Sequence, residues 1–377
     1  MKKKILISFG TRPEAIKLAR LIYQLKKNKN FIIKICLSGQ HDEMLYQVLN
    51  LYKIKPDYDL KVMKTNQTLN LLASKILKKL NNVLISFKPD LLLVHGDTTT
   101  AYISSLAAFQ NKIKVGHIEA GLRTYNLQSP YPEEFNRKSI GVVADINYAP
   151  TKKSVENLKR ENISNNKIIF TGNTIIDTLK YSNKILFNNK KILDKIKKNF
   201  YYINNKKKLI LVTSHRRENY GKGIENICSA LKEIVRRNHN IEIIFPVHLN
   251  PKINLIVNNK LGNVKNIYLV NPLDYFSFIY LMKLSYLILT DSGGIQEEAP
   301  YFNKPVLVLR NETERPEAKN FGGALLVGTD KNKIIKSVMK IMLDKKLYNK
   351  MSKIKNPYGD GKATYRIVNH LLEYFKI

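Results

Sequence analysis

The sequence predicts an α/β protein with two domains, each built on a parallel sheet. At 377 residues the chain exceeds the roughly 250–300 residues at which a single hydrophobic core stops growing. Short apolar runs alternate with helical patterns along the chain, and this alternation is typical of parallel strands joined by crossover helices. Because it forms two successive series of similar length, we expect two Rossmann-like domains that face each other across a cleft.

Each series contains six strand-like runs separated by helical patterns. The runs are 5–9, 32–37, 90–94, 114–118, 146–149 and 167–170, then 209–213, 241–247, 267–270, 286–290, 306–309 and 324–327. The clearest helical patterns are 13–27, 66–87, 98–110, 224–237, 275–284 and 331–343. Segment 180–208, rich in Lys and Asn, is interpreted as a helix combined with the domain crossover. We place the domains at 1–172 and 173–362, and expect the amphipathic helix 363–377 to return to the first.

The composition indicates a globular protein without a membrane-spanning segment. Hydrophobic residues make up 44% of the chain, which provides a core for each half. No apolar run reaches the roughly 18 residues of a transmembrane helix, and the apolar stretch after the N-terminal lysines is too short for a signal peptide. Cys36 and Cys228 show neither disulfide nor zinc spacing. We therefore predict a cytoplasmic protein with no membrane partner.

The formal net charge of +34 invites comparison with nucleic-acid-binding proteins. The excess is mostly lysine spread over helices and loops, without a compact Arg-rich motif or interleaved aromatic residues. We interpret it as compositional bias that aids solubility and attracts anionic substrates. We predict no nucleic-acid partner, and a salt-insensitive or undetectable DNA interaction would exclude that alternative.

Ionisable residues follow the predicted strands, at the edge where open α/β sheets bind ligands. They stand at 10–17 (GTRPEAIK), 95–100 (HGDTTT), 119–123 (EAGLR), 215–218 (HRRE), 248 (H) and 291–294 (DSGG). Taken singly, Asp97 and Asp291 could be helix N-caps, and His95, His117 and His248 could be core histidines. Six such strand ends exceed what capping requires, so we interpret them together as a ligand site.

The segment 291–298 (DSGGIQEE) is the most specific of these. Ser292, Gly293 and Gly294 open a predicted helix, where backbone N–H groups and the helix dipole favour an anion. Glu298 is placed to accept hydrogen bonds from a ribose diol. Arg315 is a candidate phosphate contact through its planar guanidinium, or else forms a surface ion pair with a neighbouring glutamate. The pattern favours a nucleoside diphosphate.

Several common cofactor and catalytic motifs do not occur in the sequence. No GxGxxG follows the first strand, and GxxxxGK[ST], HExxH and GxSxG do not occur. The sequence therefore gives little support for NAD, for zinc hydrolysis or for serine hydrolysis. We predict no cofactor and no metal.

Ten segments, in order, resemble the non-hydrolysing UDP-N-acetylglucosamine 2-epimerases, and together they cover residues 5 to about 330. They are GTRPEAIK (10–17), SGQHDEML (38–45), GDTTTA (96–101), HIEAGLRT (117–124), SPYPEEFNR (129–137), TGNTIIDTL (171–179), HRREN (215–219), PVHLNP (246–251), LTDSGGIQEEAP (289–300) and TERPEA (313–318).

The resemblance implies two Rossmann-like domains in the GT-B arrangement, the second binding UDP, and a homodimer. It implies reversible conversion of UDP-GlcNAc into UDP-ManNAc without NAD or metal, for surface polysaccharide. The site residues it implies are, for catalysis, Asp97, Glu119, Glu133 and His215, and, for substrate binding, Arg12, Lys17, Leu273, Phe278, Ser292, Gly293, Gly294, Glu298 and Arg315.

Three positions depart from the family pattern. Leu273 stands where some members have a glutamine near the uracil, which is harmless if the backbone makes that contact. Glu43 and Asn66 stand where members activated by a second UDP-GlcNAc carry a glutamine and an arginine. Losing that arginine weakens a pyrophosphate contact, so the substitutions argue against allosteric activation.

Inversion at C2 without a dinucleotide favours elimination of UDP from C1, a 2-acetamidoglucal intermediate and re-addition, which is also the route the family implies. Asp97, Glu119 and Glu133 supply carboxylates for the two faces of the sugar. Arg12, Lys17, His215 and Arg315 are the candidate donors to departing UDP. Domain closure is expected to assemble the two groups. The alternatives are a hydrolysing epimerase that releases ManNAc, a GT-B glycosyltransferase and an inactive UDP-sugar-binding protein.

Overall fold

The computed structural model describes residues 1–39, 43–64 and 67–377. Two compact units form: Met1–Tyr181 with Tyr358–Ile377, and Ser182–Pro357. From the sequence we placed the boundaries after residues 172 and 362. The observed first boundary, between Tyr181 and Ser182, lies inside a continuous helix, Thr174–Asn188, at the start of the Lys- and Asn-rich segment 180–208.

Both units contain parallel sheets, which confirms the predicted α/β class. The strands are β1 (Lys3–Phe9), β2 (Phe31–Leu37), β3 (Tyr58–Asp59), β4 (Leu91–His95), β5 (Lys114–Ile118), β6 (Ile146–Ala149), β7 (Ile168–Phe170), β8 (Lys208–Thr213), β9 (Ile241–Pro246), β10 (Ile267–Val270), β11 (Leu287–Thr290), β12 (Val306–Val308) and β13 (Ala324–Leu326). The first sheet has the order β3-β2-β1-β4-β5-β6-β7 and the second the order β10-β9-β8-β11-β12-β13. Every neighbouring pair in these two sheets is parallel.

Helices connect successive strands, as parallel pairing requires. They are α1 (Arg12–Lys27), α2 (Glu43–Leu51), α3 (Leu69–Phe87), α4 (Thr99–Gln110), α5 (Glu133–Val143), α6 (Lys152–Arg160), α7 (Thr174–Asn188), α8 (Lys190–Asn199), α9 (Lys222–Arg237), α10 (Pro251–Leu261), α11 (Tyr275–Leu284), α12 (Gly293–Glu298), α13 (Pro316–Asn320), α14 (Lys331–Leu343), α15 (Lys345–Ser352) and α16 (Ala363–Phe375). No helix in the described part of the chain is long and apolar enough to cross a membrane.

The core of the first unit explains why its strands are nearly continuous apolar runs. Leu6, Leu92 and Val94 belong to one buried cluster with side chains of α3 and α4, because helices cover the faces of a parallel sheet. The terminal helix α16 belongs to this unit. Asp177 of α7 accepts hydrogen bonds from the first backbone N–H groups of α16, at 3.0 and 2.9 Å.

The second unit follows the same plan. Ile210 and Val212 of β8 pack with the buried face of α9, which includes Ile227 and Leu231. The segment 180–208, predicted to hold one helix, contains the end of α7 and the separate helix α8. Asn189 divides them because its side chain accepts the N–H of Ile192 and caps α8.

The start of α3 differs from the predicted one for a local reason. The helix predicted from residue 66 begins at Leu69, after Thr68, whose hydroxyl accepts the N–H of Leu71 at 3.2 Å. Asn66 and the side chain of Glu43, the two positions that bear on allosteric activation, lie outside the described residues.

Candidate active site

Each sheet has one point at which the strand order reverses, between β1 and β4 in the first unit and between β8 and β11 in the second. Chain connections leave such a point toward opposite faces, and the crevice left at the carboxyl ends of the strands is where α/β proteins bind ligands. The segments that directly follow β1, β4, β8 and β11 carry Arg12, Asp97, His215 and the residues 291–294. The predicted residues of each unit therefore lie at or beside its own reversal point.

Glu119 is the centre of a buried polar cluster in the first unit. It follows β5 in a left-handed backbone conformation (φ 66°), which is uncommon for a residue with a side chain and often marks a functional position. Its Oε2 accepts hydrogen bonds from Lys17 Nζ and from Asn173 Nδ2, the latter at 3.0 Å. His95 Nε2 lies 3.9 Å from the same oxygen. Lys17 thus stabilises the carboxylate charge in a site that is largely closed to solvent.

Asp97 follows the neighbouring strand β4 and keeps a partly exposed carboxylate, with 23% of its side chain accessible. Its Oδ2 accepts from Nη2 of the buried Arg137 at 2.5 Å, and its backbone carbonyl accepts from Asn136 Nδ2 at 2.8 Å. The N-cap of α4 is Thr98, whose hydroxyl accepts the N–H of Ala101. The alternative interpretation of Asp97 as that cap is therefore wrong.

Two consecutive glutamates at the start of α5 have different surroundings. Glu133 is the first residue of the helix and is half-buried. Glu134 is fully buried, accepts from the N–H groups of Thr124 and Tyr125 at 3.1 and 2.9 Å, and pairs with Arg137 at 3.1 Å. Glu134 therefore holds the preceding loop and Arg137, and the predicted site residue Glu133 is the more accessible of the two.

Glu14 joins the loop after β1 to the loop after β4. Its Oε2 accepts from the N–H groups of Gly10 and Thr11 at 3.0 and 2.8 Å, and its Oε1 accepts from the Thr98 hydroxyl at 2.9 Å. Burial raises the pKa of Glu14 to about 7 against the lowering effect of these donors. The first turn of α1, which carries the half-buried Arg12, is thereby tied to the residue next to Asp97.

His117 has a structural role rather than a site role. Its Nε2 lies 2.7 Å from the carbonyl oxygen of Gly96, and burial lowers the pKa of His117 to about 4. A neutral ring at physiological pH supports the turn in which Gly96 adopts φ 68°. The core-histidine interpretation is correct for His117.

Asp291 organises the corresponding site of the second unit. It is inaccessible to solvent, and its Oδ2 accepts from four donors: the Ser214 hydroxyl, the N–H groups of His215 and Arg216, and Asn219 Nδ2, at 2.9–3.0 Å. Burial would raise the pKa of Asp291, but His215 and the backbone donors outweigh it and lower the pKa to about 2. The N-cap of α12 is Ser292, so the alternative of Asp291 as that cap is wrong.

His215 lies at the open side of this loop. Its Nδ1 is 3.2 Å from Asp291 Oδ1, 42% of its side chain is exposed, and its ring stacks on His248 with centroids 6.0 Å apart. Burial and the neighbouring His215 lower the pKa of His248. Because Nδ1 is directed at Asp291, the Nε2 edge is the one that His215 can present to a ligand.

Gly293 and Arg315 pack together so closely that a side chain at position 293 would have to displace the guanidinium of Arg315. A Cβ there would lie 2.5 Å from Arg315 Nη1. Arg315 is held by Glu297, through Nε at 2.7 Å, and by Glu314, through Nη1 at 2.5 Å. The predicted ion pair with a neighbouring glutamate is present, but it is buried rather than at the surface. The guanidinium is thus fixed against the backbone of the predicted phosphate-binding turn.

The remaining predicted residues of the second unit surround the same loops. Glu298 is the last residue of α12, and its Oε1 accepts from the Tyr275 hydroxyl at 2.5 Å. Phe278 in α11 and Leu273 before it are half-buried, as are Ser292 and Gly294. Tyr275 thus orients a carboxylate that was predicted to accept from a ribose.

Sequence reasoning missed several residues that hold these groups. Arg137 stands inside the quoted segment 129–137, Asn173 inside 171–179, and Glu14 inside 10–17, so each was near a recognised signal. Their roles depend on long-range contacts: Arg137 binds Asp97, which is 40 positions away, and Asn173 binds Glu119, which is 54 positions away. Among the described residues, no group of three or more His, Cys, Asp and Glu side chains is arranged to hold a metal ion.

Comparison with known proteins decides the family. The family model described as UDP-N-acetylglucosamine 2-epimerase matches residues 23–372. The chain belongs to the UDP-N-acetylglucosamine 2-epimerase family. The resemblance predicted from the ten sequence segments is therefore confirmed.

Relatives in this epimerase family match the chain along nearly all its length. The UDP-N-acetylglucosamine 2-epimerase of Campylobacter jejuni is 53% identical over 99% of this chain and 98% of its own. The crystal structure of the UDP-GlcNAc 2-epimerase from Neisseria meningitidis bound to UDP-GlcNAc is 49% identical, covers 98% of this chain and 100% of its own, and has a TM-score of 0.96. The S. aureus MnaA–UDP co-structure is 45% identical, covers 99% and 97%, and has a TM-score of 0.91.

Proposed function

We propose that this member of the epimerase family is a non-hydrolysing UDP-GlcNAc 2-epimerase, which interconverts UDP-GlcNAc and UDP-ManNAc as a cytoplasmic source of ManNAc-type sugars for surface polysaccharide. The observation that carries the proposal is the pair of carboxylates after adjacent strands, Asp97 and Glu119, each bonded to a buried cation. The Neisseria relative solved with UDP-GlcNAc and the S. aureus relative solved with UDP support the substrate class.

The reaction proceeds by elimination and re-addition. A carboxylate removes the proton from C2, the electrons of that C–H bond form the C1–C2 double bond, and the C1–O bond breaks so that UDP leaves with its electron pair. A protonated group then delivers a proton to the opposite face of C2 while a phosphate oxygen of UDP attacks C1. The 2-acetamidoglucal is the intermediate, and no oxidant or water is consumed.

Proton transfer is assigned to the first unit. Glu119 is one acid–base group, since Lys17 stabilises its charge and Asn173 fixes its position. Asp97 is the second, and Arg137 fixes its orientation. Glu133, half-buried at the start of α5, is the third carboxylate assigned to proton transfer.

Binding of UDP is assigned mainly to the second unit. Arg315, packed against Gly293, provides a fixed cation for the diphosphate, and His215 provides a donor through Nε2. The half-buried Phe278 and Leu273 suit the apolar face of the uracil, and Glu298 suits the ribose diol. Arg12 and Lys17 of the first unit add positive charge for the departing UDP.

The homodimer implied by the family resemblance is part of the proposal. Large apolar side chains on α4 and α5 are exposed in the single chain, with Phe109 58%, Phe135 45% and Val142 76% accessible. Because α4 and α5 pack against each other, exposed apolar side chains on both helices suit a subunit interface. Light scattering coupled to gel filtration tests it, and a monomer at micromolar concentration would count against it.

Incubation of the protein with UDP-GlcNAc alone in heavy water, followed by NMR of the anomeric and C2 protons, tests the reaction. We expect deuterium at C2 and a mixture of the two UDP-sugars without added NAD. Stoichiometric accumulation of free UDP and ManNAc would instead establish a hydrolysing epimerase. Absence of both exchange and hydrolysis would reject the proposal in favour of a glycosyltransferase or a binding protein.

A further inference from the structure

Asn173 is a buried residue with a fixed side-chain direction. It lies between β7 and α7 and is 2% exposed. Its backbone N–H donates to the carbonyl of Tyr358 at 2.8 Å, and its Oδ1 accepts the N–H of Ile175 at 3.1 Å. Because a backbone N–H is always a donor, the oxygen of the amide must face Ile175. The amide nitrogen therefore faces the other way, toward Glu119.

This orientation has a consequence for the carboxylate. Asn173 Nδ2 lies 3.0 Å from Glu119 Oε2 and has only protons to offer, and Lys17 Nζ donates to the same oxygen. Two donors therefore converge on Oε2, and each competes with a proton for the lone pairs of that oxygen. A proton placed on Oε2 would be forced against one of these donors.

Two further groups near Glu119 agree with this asymmetry. His95 approaches from β4 on the Oε2 side, with Nε2 at 3.9 Å. On the Oε1 side lies Gly96, where even an added Cβ would be 3.7 Å from Oε1. Gly96 follows the strand that leads to Asp97, so Oε1 faces the loop that carries the second carboxylate.

We infer that Asn173 is a positioning residue for the epimerisation: together with Lys17 it holds Oε2 of Glu119 as a proton-free acceptor, so that Glu119 gains and loses protons through Oε1. The inference rests on the proposed function. Asn173 does not touch the reacting atoms, and it acts by fixing which oxygen of Glu119 exchanges protons with the sugar.

The replacement Asn173→Asp separates this role from a purely structural one. Aspartate keeps the acceptor for Ile175 N–H and the backbone bond to Tyr358, and it caps a helix as well as asparagine does. It loses only the donor to Glu119, and it places a second carboxylate against Oε2, which favours protonation of the pair. We expect C2 deuterium exchange at neutral pH to fall about tenfold to a hundredfold, and the acid limb of the pH–rate profile to move up by about one pH unit or more.

Two further variants, Asn173→Ala and Asn157→Asp, are compared with Asn173→Asp. The alanine variant loses both the donor and the cap, so it should exchange slowly and also melt at a lower temperature. Asn157 is buried to a similar degree in the same unit, and its Nδ2 donates to the carbonyl of Gly121 at 2.9 Å. Asn157→Asp therefore adds the same buried charge at a side chain that is hydrogen-bonded to Gly121 and Tyr125 and not to Glu119, and the acid limb of its profile should stay in place.

Thermal unfolding and UDP binding, measured on all variants, establish that each is folded. If wild type shows no C2 exchange, the proposed function fails. If wild type exchanges but folded Asn173→Asp has the wild-type rate and pH profile, Asn173 only caps α7 and the inference is overturned. An equal shift of the acid limb in Asn157→Asp would also overturn it, because the shift would then report added charge alone.

Discussion

Asp291 binds His215 twice: its Oδ2 accepts the backbone N–H of His215 at 2.9 Å, and its Oδ1 lies 3.2 Å from the ring Nδ1 of the same residue. Backbone and ring are therefore oriented by one buried carboxylate. Such a pair fixes the direction of the imidazole, as second partners of functional histidines generally do. The relationship makes Asp291 the support for the loop that presents His215.

Asp291→Asn should weaken UDP binding about tenfold or more, because the neutral amide holds the four donors that converge on Oδ2 less strongly than the charged carboxylate does. Isothermal titration with UDP measures the effect. His248→Ala is the matched comparison, since it removes the stacked ring and leaves Asp291 in place; we expect a smaller loss. Equal affinity of Asp291→Asn and wild type would contradict the supporting role.

The lowered pKa of Asp291 also predicts how the stability difference between wild type and Asp291→Asn depends on pH. The folded pKa of Asp291 is about 2, below the ordinary value of 3.8, so its contribution is present above pH 3.8 and is lost as pH falls through 2. The difference corresponds to about 2 kcal/mol. Urea unfolding of wild type and Asp291→Asn at pH 3 to 7 should show a gap in unfolding free energy that narrows toward the acid end. A gap that widens on acidification would refute the assignment.

The pKa of Glu14 is shifted in the opposite direction to that of Asp291, so its contribution to stability changes with pH in the opposite sense. Its folded pKa of about 7 lies above the ordinary 4.5, so the stability of the protonated form is fully present below pH 4.5 and is lost as pH rises through 7. Glu14→Gln keeps a neutral group of the same size, so its unfolding free energy should gain on that of wild type by up to about 3 kcal/mol between pH 5 and pH 8. If the unfolding free energies of the two proteins change with pH in parallel, the raised pKa of Glu14 is ruled out.

Gly293→Ala should displace Arg315, because the added Cβ would lie 2.5 Å from Nη1. We expect UDP affinity to fall at least about tenfold, through loss of a charge-assisted contact worth roughly 1.5–3 kcal/mol. Gly223→Ala is the control, since a Cβ there meets nothing closer than 3.5 Å and the position is outside the proposed site. If Gly293→Ala binds UDP as tightly as Gly223→Ala does, the assignment of Arg315 to the diphosphate is wrong.

Asp97→Asn and Glu119→Gln should each reduce C2 exchange by about 10²–10⁴-fold, the usual contribution of a general acid or base. UDP binding should remain largely intact, because it is assigned mainly to the second unit. Exchange is measured by NMR in heavy water and binding by titration on the same preparations. Near-wild-type exchange in both variants would overturn the site assignment.

The sequence by itself determined the α/β class, most strand and helix positions and the segments that carry the site. These features are local: apolar periodicity identifies strands such as 114–118, and strand ends identify where charges such as Asp97 and Glu119 emerge. The glycines and acidic residues of segment 291–298 were recognisable because they too directly follow a predicted strand. The family motifs added roles to those positions.

Only the tertiary structure decided which charges meet. Lys17 and Glu119 are 102 residues apart, and Ser214 and Asp291 are 77 apart, and neither pairing follows from local pattern because it depends on strand order and on side-chain rotamers. Strand order brings the loops after β1 and β4 together, and after β8 and β11. Asp97 and Asp291 could therefore be mistaken for helix caps in the sequence, whereas the fold shows them holding Arg137 and His215.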